Sequence, residues 1–209
     1  MAAIVVTATG CTQQQDAPAP LTAGSDAPLN LPAGPGEAGR TAAPGERLGE
    51  SEARPTAADV TFAESMIPHH RQALEMAALA GDRTTDTAIL ALAERITVSQ
   101  QPEIEAMSAW LTALGRPVPG AHAHEEMRGR YGMATLAQMN RLRAARGESF
   151  DRLFLELMIA HHRGALAMAK TEVAEGADRR MRLMARDVLS SQAIEISRMT
   201  RLAGGSTDG

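Results

Sequence analysis

Cysteine is almost missing from this chain: Cys11 is the only one in 209 residues. One thiol leaves no disulfide framework and no cysteine cluster for zinc or iron–sulfur chemistry. Aromatic residues are equally scarce, at 2% of the sequence. Sheets are filled by aromatic and β-branched side chains, whereas alanine, leucine, methionine and arginine, common here, lose little freedom in a helix. The composition therefore predicts an all-α protein. No apolar run reaches the roughly 18 residues that would span a bilayer. Nor is there an excess of positive charge. The net charge is −4 and the pI is near 5.9, which leaves no electrostatic footprint for nucleic acid. The basic residues are nearly all arginine and are scattered, so no polybasic membrane patch forms.

The lone cysteine has an informative position. It follows "MAAIVVTATG", a short apolar run ending in small residues. The "ATGC" at Ala8–Cys11 resembles a bacterial lipobox, in which the cysteine is lipidated and becomes the first mature residue. Residues 1–11 are thus expected to be a truncated lipoprotein signal. The charged leading region is missing and the apolar run is short, as a start site assigned too far downstream would explain. The competing reading is an apolar N-terminus with an incidental cysteine. Residues 12–55 carry "DAPAP", "LPAGPGEAG" and "AAPGE". Such a segment buries too little apolar surface to offset its ordering entropy, so a disordered tether is expected there.

From residue 56 to about 204 the sequence is internally duplicated. "MIPHHRQALEMA" begins at Met66 and "MIAHHRGALAMA" at Met158, an offset of 92 residues. The same offset pairs Asp59 with Asp151, Phe62 with Phe154, Gln100 with Gln192, Glu103 with Glu195 and Met107 with Met199. The repeats cover about 59–110 and 151–202 without a gap. Two copies are too few for a solenoid, so one pseudo-symmetric domain is expected. Each copy reads as two helices. Thr56 or Asp59 can cap the first, which runs to about Ala80. "GDRTTD" breaks the chain, and a second helix runs from about Thr85 to Leu114. In the second copy Ser149 or Asp151 starts a helix to about Ala174, "EGAD" breaks it, and the last helix reaches about Leu202. Thr135 is expected to cap a short connecting helix. Four such amphipathic helices make a bundle. The link between the second and third allows either an up-down bundle or a crossover. Pro68 and Pro102 fall inside helices and should disturb the preceding turns.

At about 100° per residue, Phe62, Met66, His69, His70, Ala73, Met76 and Ala77 share one broad stripe, with Glu64, Arg71 and Glu75 opposite. The second copy repeats it with Met158, His161, His162 and Met168. On the partner helices Gln100, Glu103 and Met107 share a face, as do Gln192, Glu195 and Met199. Polar groups from all four helices are thereby directed at the bundle interior, where they must be paired. Three readings compete. In a metal-free reading the domain is a structural or protein-interaction module, whose histidines hydrogen-bond the partner carboxylates and whose methionines are core filler. In a metal-binding reading Met66, His69, His70, Met76, Met158, His161, His162 and Met168 hold soft ions, because thioether sulfur selects Cu(I) and imidazole suits copper. Gln100, Glu103, Gln192 and Glu195 would then be supporting polar groups. Affinity should fall below about pH 6, since histidine with an ordinary pKa near 6.5 must be neutral to ligate. His122, His124 and Met127, in "AHAHEEM", could form a looser surface site, although two solvated loop histidines explain them as well. The third reading is a di-iron or di-manganese oxidase. It lacks the Glu-x-x-His pairs such bundles use, so a non-enzyme is expected.

The doubled M-I-x-H-H-x-x-A-x-x-M-A, each followed by Q-x-x-E-I-x-x-M, resembles the bacterial DUF305 family. "SQQPEIEAM" and "SQAIEISRM" carry the second element. The resemblance covers about Asp59 to Leu202. It implies a ferritin-like four-helix bundle of two helix pairs, secretion or lipid anchoring, and a link to copper or silver binding and resistance. It carries over Met66, His69, His70, Met76, Met158, His161, His162 and Met168, with Glu103 and Glu195 as matched polar positions. The middle segment departs from the family pattern, which is often Met-rich there. The expectation is an extracytoplasmic copper-binding lipoprotein, a chaperone, buffer or resistance factor. Its partners would be metal ions, a membrane reached through lipidated Cys11, and a copper-handling protein.

Overall fold

The computed structural model describes residues 30–31, 38–41, 54–120, 123–125 and 129–205. Cys11 and most of the segment read as a tether lie outside the described residues. Within that segment Asn30–Leu31 (β1) and Arg40–Thr41 (β2) form a two-residue antiparallel pair. Residues 1–52 and 53–209 are two separate units, and the rest of the structure concerns the second.

That unit contains α1 (Ala57–Ala78), α2 (Ala80–Arg83), α3 (Thr87–Ala113), α4 (Leu136–Ala144), α5 (Glu148–Glu175) and α6 (Arg179–Gly205). Thr56 caps α1 in a reciprocal capping box with Asp59, and Thr135 does the same for α4 with Gln138. Asp86 caps α3 through the amides of Ala88 and Ile89. The expected cap of α5 by Ser149 or Asp151 is corrected. α5 starts at Glu148, after Gly147, whose φ of 54° suits glycine and whose amide bonds to the Arg83 carbonyl. Helices α1 and α3 run unbroken through Pro68 and Pro102.

α1 packs chiefly on α3 and α5 on α6, and α1 with α5 joins the two pairs. The Gly147–Arg83 bond places the start of α5 beside the end of α2. At the other end Asp59 accepts from the amides of Ala177 and Asp178 at 3.1 and 2.9 Å. α1 and α5 are therefore antiparallel, and residues 114–147 must cross the length of the bundle. This is the crossover alternative. Its path is laddered along α1. Arg116 pairs with Glu64, Arg71 donates to the carbonyls of Pro119 and Gly120, Gln72 bonds Ala134, and Arg143 pairs with Glu75. The outward face of α1 thus serves the crossover.

The core divides into two apolar clusters with the histidine pairs between them. One contains Phe62, Met66, Met107, Trp110, Met168 and Val188. The other contains Met76, Ile89, Phe150, Phe154, Met158 and Met199. Because α1 and α5 are antiparallel, each cluster takes one motif methionine from each repeat. Met66 joins Met168 on one side of the histidines, and Met76 joins Met158 on the other.

Candidate metal centre

All four motif histidines are fully buried. Buried imidazoles need partners, and the distribution of those partners is lopsided. His70 Nε2 lies 2.6 Å from Glu103 Oε2, and His162 Nε2 lies 2.7 Å from Glu195 Oε2. These are the same interaction in the two repeats, one between α1 and α3 and one between α5 and α6. His69 Nε2 donates to the Tyr131 carbonyl at 3.0 Å, and His161 Nε2 donates to the His69 carbonyl at 2.9 Å. Carbonyls and carboxylates only accept, so each Nε2 carries the hydrogen. In the neutral ring that leaves a lone pair on each Nδ1. All four Nδ1 atoms are buried and have no hydrogen-bond partner. A buried acceptor left without a partner costs about 1–3 kcal/mol, so four in one layer form an expensive arrangement.

The rings of His69 and His161 stack across the α1–α5 interface with centroids 3.6 Å apart and planes 31° from parallel. Each lies 6.3 Å from the second histidine of its own pair. Burial, followed by the neighbouring His70, drives the pKa of His69 down to about 3. Burial and then His69 hold His161 well below the usual histidine range. Burial therefore favours the neutral form of both rings, the form with a lone pair to donate. Desolvation of a ring with no exposed edge thus works against the loss of ligation expected below about pH 6.

Gly132 and Gly164 hold the crossover against this centre. A Cβ on Gly164 would lie 1.5 Å from the Tyr131 carbonyl oxygen, and one on Gly132 would lie 2.0 Å from the Ala160 carbonyl oxygen. The repeat partner of Gly164 is Gln72, whose side chain accepts from the Ala134 amide at 2.7 Å and donates to its carbonyl at 2.9 Å. One repeat position thus gives way to the segment and its counterpart grips it. The unlike residues at an otherwise matched position, Gln72 and Gly164, were the available sequence signal. Tyr131 itself has φ of 47°, a left-handed conformation costly for a non-glycine residue.

Of the eight candidate ligands, the four histidines share one layer, Met66 and Met168 are buried in the cluster on one side of it, and Met76 and Met158 in the cluster on the other. Gln100 and Gln192 are buried too. Neither side-chain atom of Gln100 is bonded, nor is Gln192 Oε1. The looser site is not brought into view: His122 and Met127 lie outside the described residues, as does the side chain of His124 in the 3-10 turn Ala123–Glu125. Among the described residues no three His, Cys, Asp or Glu groups converge as a ligand set. Any ion held in this layer therefore needs other donors, and the available ones are thioethers. That composition fits a soft monovalent cation such as Cu(I) better than a hard one.

A second polar cluster lies at the far end of α1 and α5. Asp59 is fully buried and accepts from Thr56, Ala177 and Asp178. Burial opposes its charge, but the hydrogen bonds from Thr56 and the neighbouring groups prevail and hold its pKa below the usual value. Glu172, 1% exposed, stands against it. Burial first, and then the neighbouring Asp59 carboxylate, push its pKa up to about 8. Asp151, the repeat partner of Asp59, is raised by burial and faces Thr84 at the matching turn.

A family model described as a domain of unknown function, DUF305, matches residues 59–203. Among solved structures, a DUF305 fragment from Deinococcus radiodurans is 33% identical with a TM-score of 0.64, covering 73% of this chain and 99% of that one. A DUF305 protein from Streptomyces coelicolor, described by inference as secreted, is 36% identical with a TM-score of 0.63, covering 69% and 91%. CopM in its Cu(II)-bound form is 32% identical with a TM-score of 0.62, covering 70% and 96%. CopM has also been solved with Cu(I), with silver and without metal. No curated protein matches the chain.

Proposed function

The chain belongs to the DUF305 family, and we propose that it binds soft metal ions, copper foremost, outside the cytoplasm as a chaperone, buffer or resistance factor. The observation that carries this reading is the set of four orphaned Nδ1 atoms. A purely structural centre explains the Nε2 bonds to Glu103, Glu195, Tyr131 and His69. It does not explain why each ring keeps a buried Nδ1 without a partner. In a metal site that division is expected: the outer nitrogen donates to a carboxylate or carbonyl, which fixes the tautomer and raises the basicity of the inner one. Met66, His69, His70, Met76, Met158, His161, His162 and Met168 would supply the donors. Glu103 and Glu195 would act through His70 and His162 rather than on the ion. The silver- and copper-bound forms of CopM support the class of ligand.

No described helix is long and apolar enough to cross a membrane. Attachment would therefore rest on lipidation of Cys11, which mass spectrometry of membrane-extracted native protein tests directly. An unmodified cysteine there would remove the anchor. The metal reading is tested by titrating the full chain with Cu(I) against a competing chromophoric chelator. The control is a variant with His69, His70, His161 and His162 changed to Ala, its fold checked by circular dichroism. Tight binding lost in a folded variant supports the proposal. A wild type that does not compete for Cu(I) assigns the histidines to architecture.

A further inference from the structure

The proposed ligands are sealed from solvent with one exception. Met66, His69, His70, Met76, Met158, His161 and His162 are each 0% exposed, and Met168 is 6% exposed. An ion that reaches this layer without unfolding the bundle has to pass a place where the wall is thin. Met168 borders a cavity of about 260 Å³ between the N-terminal half of α1 and the C-terminal half of α5. Thr61, Phe62 and Ser65 form the α1 wall, and Thr171, Glu172 and Glu175 the α5 wall. Tyr131 also borders the cavity, and it is the residue whose carbonyl holds His69. The cavity therefore abuts the centre at two points, a thioether and the residue that holds an imidazole.

Its chemistry is that of a cation path. Glu175 is exposed and marks the outer end of the α5 wall. Glu172 is buried, and neither of its carboxyl oxygens receives a hydrogen bond. Its close neighbour Asp59 is already the acceptor for three residues and, when ionised, has nothing to donate. A buried carboxyl with no fixed partner can exchange its proton for a metal cation. One turn deeper along α5 lies Met168, a soft donor. The order along the helix is thus exposed carboxylate, buried carboxyl, thioether, and then the histidine layer. Resting on the metal-binding reading above, we propose that this cavity is the port through which a soft monovalent cation enters and leaves, passed from the Glu172 carboxyl to the Met168 sulfur.

A port controls rates, whereas a ligand controls affinity, and that difference provides the test. Cu(I) exchange between the full chain and a chromophoric chelator is followed by stopped flow, and the equilibrium is measured in the same mixtures. T61W places a large side chain at the rim of the cavity, at a position that is not a proposed ligand. It should slow uptake and release alike by about tenfold or more while leaving Kd within about threefold. E172Q should slow uptake in the same direction, and it guards against misfolding of the tryptophan variant. V98W, on an exposed position of α3, should leave both rates unchanged. Wild-type rates in folded T61W and E172Q, with metal still bound, would overturn the port and leave the binding reading intact. A wild type that takes up neither Cu(I) nor Ag(I) would overturn the binding reading and the port together.

Discussion

Changing Glu172 to Gln should make the metal-free protein more sensitive to acid, and the size of the effect follows from three buried groups. Glu172 has a folded pKa of about 8 against an ordinary 4.5. A raised carboxyl binds its proton more tightly in the folded state. Its stabilising contribution is therefore complete below 4.5 and is lost as the pH climbs through 8. Between those limits each unit of acidification adds about 1.4 kcal/mol. His69 runs the opposite way. Its pKa falls from 6.5 to about 3 on folding, so below 6.5 the unfolded chain takes up a proton that the native state refuses. Each unit of acidification then removes about 1.4 kcal/mol. His161 is displaced in the same direction by the same burial. From about pH 6 to about pH 5 His69 removes about 1.4 kcal/mol and Glu172 returns about as much, so the two nearly cancel and the burial of His161 tips the balance toward a loss. E172Q loses the compensating group, so its loss over that interval should exceed that of the wild type by about 1.4 kcal/mol. The assay is urea unfolding of the full chain followed by far-UV circular dichroism, with a chelator present, at several pH values. Because wild type and variant share every other titrating group, the difference in slope isolates Glu172. Parallel stability–pH curves would refute the assignment of a proton to that carboxyl.

Other consequences follow from the same geometry. Gly164→Ala must push the Tyr131 carbonyl aside, and the strain should cost about 1–3 kcal/mol or more; an unchanged urea midpoint would mean that the crossover does not press on α5 there. Glu195→Gln leaves His162 in place but removes the carboxylate that orients it, so Cu(I) affinity should fall by about 10- to 100-fold, and unchanged affinity would take His162 out of the site. Cu(I) binding through His69 and His161 should persist to about pH 5, because neither ring competes for protons there; a loss centred near pH 6 would rule out ligation by this pair.

The bundle was legible because its signals are local and repeated. The stripe from Phe62 to Ala77 needs only the helical period to be read, and each residue on it is buried. The pairing of His70 with Glu103 and of His162 with Glu195 was also within reach, since both pairs keep one offset within their repeats. What the sequence did not disclose lies in the unrepeated segment. Tyr131, Gly132 and Ala134 contact the centre through backbone atoms, which leave no mark in a motif. The face of α1 carrying Glu64, Arg71 and Glu75 reads as solvated, yet each of these residues meets the crossover. The stripe turned the histidines inward, but it did not show that whole rings would be sealed. An ordinary histidine pKa was the natural assumption, and only the packing around His69 and His161 displaces it.

The duplication also bears on why one chain carries two copies of the motif. A single helix pair would place its two histidines and two methionines along one face, with Met66 and Met76 on opposite sides of the rings and too far apart to serve together. Antiparallel docking of the second copy changes the set. Met168 comes to the Met66 side and Met158 to the Met76 side, so each side of the layer holds thioethers from both repeats. The partner helices add Met107 to the first side and Met199 to the second. Symmetry is then broken at one bond. His161 donates to the His69 carbonyl, as a two-fold relation would have His69 donate to the His161 carbonyl, but His69 turns to Tyr131 instead. Two halves with the same donors but different hydrogen-bond partners hold their lone pairs with different basicity. The crossover, which belongs to neither repeat, is therefore the element that makes the two sides of the layer unequal.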